Sequence, residues 1–108
     1  MASEIVITRV NDAQTDWGFD EWLERGRQWW KASAARIVDC TKLIVLDSEN
    51  RVMAVARIAG VEKDLDEGSG RVSILVRPLK DDELIGKVIR RYESRNPVVY
   101  MTEIEVLD

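Results

Sequence analysis

The sequence predicts an α+β fold: a small, strongly curved or closed antiparallel β-barrel of about five strands, with a Trp-rich helix inserted after the first strand. Three observations predict it. Short runs rich in Val, Ile and Leu recur along the chain, separated by turn-forming clusters. All four tryptophans, Trp17, Trp22, Trp29 and Trp30, fall in one short window, where Trp22, Trp29 and Trp30 keep helical spacing. At 108 residues there is too little chain to cover many exposed strand edges, and closing the sheet removes them. Residues 1–108 read as a single domain, because two cores of half this size would each be marginal.

Taken in order, Glu4–Val10 is β-branched and partly alternating, as a strand buried on one or both faces should be. Asn11 to Thr15 break it. Trp22, Gly26, Trp29 and Trp30 then stand at i, i+4, i+7 and i+8 with Leu23 alongside, so a helix is expected over roughly 19–30. Asp16, Gly18 and Asp20 are candidate caps, and Glu21 and Glu24 suit the positive end of the helix dipole. Ser33-Ala-Ala-Arg-Ile either opens a second short helix capped by Ser33 or continues the first.

Leu43–Leu46, the turn Asp47-Ser-Glu-Asn50 and the run Val52–Val61 read as a β-hairpin. A second turn, Glu67-Gly-Ser-Gly70, leads into Arg71–Arg77, where Val72, Ile74 and Val76 alternate with Ser73 and Leu75. Pro78 ends that strand, Lys80–Leu84 suits one helical turn, and Pro97–Leu107 supplies the last strand.

Composition excludes several classes. With 45% apolar and 33% charged residues the chain is globular, and no apolar run approaches the roughly 18 residues of a membrane-spanning helix. The opening Met-Ala-Ser-Glu-Ile carries no signal pattern, so a cytoplasmic location is expected. Cys40 is the lone cysteine and histidine is absent, which removes disulfides and Cys/His zinc sites. No nucleotide-binding glycine loop or nucleophile motif occurs, so neither an enzyme nor a cofactor is expected. Asp81, Asp82 and Glu83 read as a solvated charge run rather than a cation site, and no metal is expected.

The candidate binding residues fall in three places. Adjacent helical residues point about 100° apart, so Trp29 and Trp30 should be unequally buried, and the exposed indole could stack on a base or cage a cation. Arg90, Arg91 and Arg95, with Ser94 and Asn96, form a basic segment suited to phosphate and base edges despite the net charge of -4. The competing reading is a turn in which Ser94 and Asn96 satisfy their own backbone. Arg57 interrupts an apolar run and either points to solvent or lines a groove with Met53, Val55 and Ala59.

The order of elements resembles the PUA-like β-barrel superfamily, with the ASCH and EVE branches nearest. The resemblance covers about residues 29–107 and rests on an early strand, the segment Trp29-Trp30-Lys31-Ala32-Ser33, and the meander containing Val52-Met-Ala-Val-Ala-Arg-Ile-Ala-Gly-Val61. It implies a groove near Trp29, Trp30 and Ser33 that takes RNA or a modified base in nucleic acid. The expected function is therefore a non-enzymatic binding module for RNA or DNA, with a protein-interaction or assembly domain as the alternative. No membrane partner is expected.

Overall fold

The β-branched runs form strands in the computed structural model, which describes residues 4–13, 16–64 and 70–107. The elements are β1 (Ile5–Arg9), α1 (Phe19–Gly26), α2 (Ala34–Ile37), β2 (Lys42–Leu46), β3 (Val52–Lys63), β4 (Val72–Pro78) and β5 (Val98–Met101). They make an α+β domain with one five-stranded sheet in the order β4-β3-β2-β1-β5.

β2 and β3 form the expected antiparallel hairpin, β4 continues the meander, and β5 returns antiparallel to β1. Two expectations need correction. The sheet is mixed, because β1 runs parallel to β2 with Ile5 opposite Lys42 and Arg9 opposite Leu46. It is also open rather than closed, with β4 and β5 at its edges.

The physical reason is that other segments cover the faces and edges that closure was expected to remove. Val6, Val10, Leu43, Val45, Ala54 and Ala56 pack against Trp22, Leu23, Trp30 and Ile37 on the helical side. Ile7, Ile44, Leu46, Val52 and Val55 face the other way, where Leu79, Leu84, Ile85 and Ile89 cover them. At the β4 edge, Trp30 pairs with Val72 through backbone bonds of 2.9 and 2.8 Å, and Ile74 N donates to Arg27 O at 2.7 Å. The β5 edge is only four residues long, and short edges are a common guard against edge pairing.

α1 ends at Gly26 rather than near Trp30. A Cβ at Gly26 would stand 2.4 Å from Val45 Cγ2, so only glycine lets the helix lie this close to β2. Its carbonyl accepts from Thr8 Oγ1 and from the Trp30 indole, each at 2.8 Å, which turns the chain out of the helix. Gly18 is the N-cap, and its amide donates to Glu21 Oε2 at 3.0 Å. Ser33 caps a separate α2, its hydroxyl accepting from Arg36 N at 3.2 Å.

Residues 80–86 make consecutive turns instead of the helical turn expected there. Asp82 Oδ1 accepts from Leu84 N at 2.9 Å, the local side-chain bond by which Asp competes with helix. The turn expected at Glu67–Gly70 lies outside the described residues except for Gly70, whose φ of +72° is a turn conformation.

Candidate functional site

Two depressions carry the residues of interest. The first, of roughly 600 Å³, lies on the helical side between α1 and the start of β4. Trp17 and Trp29 supply aromatic wall, Arg25 and Arg71 flank it, and Glu21 and Glu24 come from α1. Ligand pockets typically fall at 300–1,000 Å³, so a base-sized ring would fit.

Trp29 is 41% exposed whereas Trp30 is 7% exposed, so the expected inequality holds. The backbone around Trp29 is anchored on both sides, by the Arg27–Ile74 bond before it and the Trp30–Val72 pair after it. Arg71 Nη1 also donates to Trp29 O at 3.2 Å. The indole therefore projects from a fixed backbone. Trp17 meets Trp22 edge-on, with ring centroids 5.4 Å apart, so one wall of the groove is keyed into the core.

The charges of this groove are already engaged. Glu24 accepts from Arg27 at 2.8 and 3.0 Å and from Gln28 Nε2 at 2.7 Å. Arg25 reaches Asp12 at 3.4 Å and lies 5.0 Å from the centre of the Trp30 ring. What the groove offers a ligand is chiefly ring surface.

The second depression, also roughly 600 Å³, lies at the carboxyl ends of the parallel strands β1 and β2 and is lined by Arg9, Asn50, Arg91, Ser94 and Arg95, with Tyr92 and Glu93. Arg91 is buried, and its guanidinium donates to the carbonyls of Tyr92, Ser94 and Asn96, so it holds the loop together. Burial first, and then the neighbouring Arg9 charge, hold its ionisation below the ordinary value. Ser94 Oγ accepts from Asn96 N at 3.1 Å, and Asn96 Oδ1 accepts from Val98 N at 2.9 Å, which is the self-satisfied turn weighed above. Arg90 is taken up by Glu105 at 2.7 Å.

The site residues expected from sequence are thus divided. Trp29 lines the first depression, and Arg91, Ser94 and Arg95 line the second, which shares no residue with it. Trp30 is core, and Ser33 serves as a cap. Arg57 is exposed beside Cys40, Thr41 and Lys42 in a further, smaller depression. Sequence reasoning missed Trp17, Arg25 and Arg71 at the groove, and Arg9 and Asn50 at the second cavity. Trp17 left a trace as one of the four clustered tryptophans, and Asn50 as the last residue of a turn, where its φ of 65° is one that Asn tolerates.

Among the described residues no group of acidic, Cys or His side chains is placed to hold a metal, and no helix is long and apolar enough to cross a membrane. Comparison with protein families, with curated proteins and with solved structures finds no match to this chain.

Proposed function

We propose that the protein is a non-enzymatic binding module that takes a nucleobase, in single-stranded RNA or DNA or flipped out as a modified base, onto Trp29. The observation that supports it is the exposed indole on an anchored backbone, walled by Trp17 and flanked by Arg25 and Arg71. Leaving so large an apolar ring half in water forgoes burial energy of about 25 cal/mol per Å², and a stacked base recovers it. The resemblance to the PUA-like superfamily points to the same class of ligand, although the sheet here is open.

The test is binding of short fluorescent single-stranded RNA and DNA, with and without modified bases, at low salt. Trp29→Ala should weaken binding about 5- to 150-fold, the range matching about 1–3 kcal/mol per stacked base, and leave the fold intact. A parent protein that binds none of these probes overturns the proposal. The engaged charges of the groove also fit an apolar side chain of a protein partner, and that second reading predicts affinity that changes little with salt.

A further inference from the structure

The cavity at the ends of β1 and β2 gathers positive charge that no ion pair compensates among the described residues. Arg9 and Arg91 both line it, and neither makes an ion pair with a carboxylate among the described residues. Buried charges are ordinarily paired, and here the buried Arg91 shares its cavity with a second guanidinium, Arg9, instead of a partner carboxylate. Arg9 Nε, Arg91 Nε and Asn50 Oδ1 are also buried without a hydrogen-bond partner. The residues that carry those atoms come from three separate segments, and all three line this one cavity.

The roles divide by what is already occupied. Arg91 spends its terminal nitrogens on the loop carbonyls and so contributes fixed charge from beneath. Arg9 and the exposed Arg95 bring guanidinium ends with no partner in the loop, and such forks match the paired oxygens of a phosphoryl group. Glu93 stands on the same wall, so three arginines face one carboxylate and the balance suits a dianion. Asn50 Oδ1 is an acceptor, and it suits a hydroxyl carried next to the phosphate.

We propose that this cavity is a binding site for a phosphate monoester that carries a neighbouring hydroxyl, held by Arg9 and Arg95 over the buried Arg91. It stands on different residues from the Trp29 groove and goes beyond the function argued there.

The test follows the arginine Nε–H resonances by NMR during titration with inorganic phosphate, against sodium chloride at matched ionic strength. A nucleoside 5′-monophosphate and its parent nucleoside are titrated in parallel. Saturable shifts of Arg9 and Arg91 with phosphate, absent with chloride, are expected. Arg9→Gln should weaken the affinity at least tenfold, and the exposed Arg95→Gln is the second variant should Arg9→Gln fold poorly. Trp29→Ala should leave phosphate binding unchanged, which separates this site from the groove. The monophosphate should bind more tightly than inorganic phosphate, and Asn50→Gly, which keeps the turn, should remove that difference. Phosphate shifts no larger than those with chloride would mean that water fills the cavity, and would overturn the proposal. Equal affinity for phosphate and monophosphate would overturn the part given to Asn50.

Discussion

Trp22 and Trp29 stand seven positions apart and do opposite work. Trp22 is buried at 7% exposure, and Trp22→Ala should cost about 3–5 kcal/mol in urea denaturation, a large share of the stability of any small domain. Trp29→Ala, which trims a surface ring, should stay within about 0.5 kcal/mol of the parent in the same measurement. A large loss for Trp29→Ala would mean that its indole belongs to the core. Gly26→Ala tests the close approach of α1 to β2, where the new methyl must displace the Val45 side chain. It should lower stability by about 1–3 kcal/mol, and Val45→Ala in the same chain should restore part of the loss. Cys40 is buried, and burial, followed by the Glu4 charge, pushes its thiol from the ordinary 9.0 up to about 11. The raised value stabilises the fold fully below about pH 9, and that contribution is lost by about pH 11, because the unfolded thiol ionises first. Melting temperatures of the parent should therefore fall more steeply across this interval than those of Cys40→Ala.

At the scale of elements, the link between α1 and α2 acts as an edge guard for β4. Val72 and Ile74 donate to Trp30 and Arg27, so their amides should exchange slowly although β4 is an edge strand. Val76, next along the same edge, finds no such partner among the described residues and should exchange much faster. Equal rates for the three would show that the link does not stay docked. The strands were legible because period-two alternation and turn chemistry act locally: Val72, Ile74 and Val76 mark β4, and Asp47–Asn50 mark the hairpin turn. The end of α1 was not legible, because Trp29 and Trp30 kept helical spacing while Gly26 was already committed to contacts with Val45 and Thr8. A long-range contact of that kind leaves no periodic trace. The turns of residues 80–86 escaped for a local reason: within the run Lys80–Leu84 that suits a helical turn, Asp82 instead accepts from the Leu84 amide.

For the whole molecule, the α+β class and five strands followed from the sequence, and the parallel β1–β2 pair and open sheet did not. Strand direction depends on the path taken through residues 10–42, and two helices crossing one face bring β2 back parallel to β1. The sites divide in the same way. That one of Trp29 and Trp30 is exposed was readable, though not which, and Arg91 and Arg95 were readable as a basic run. Their neighbours Arg71 and Arg9 arrive from the residue before β4 and from the end of β1, and no spacing in sequence joins them. Base stacking on Trp29 is tested by following the four indole N–H resonances while a short single-stranded RNA or DNA is added. Binding onto Trp29 predicts that its indole signal shifts and saturates, while that of Trp30, bonded to Gly26 O at 2.8 Å, stays in place. Four indole signals that remain unmoved, at oligonucleotide concentrations well above the protein, would contradict it.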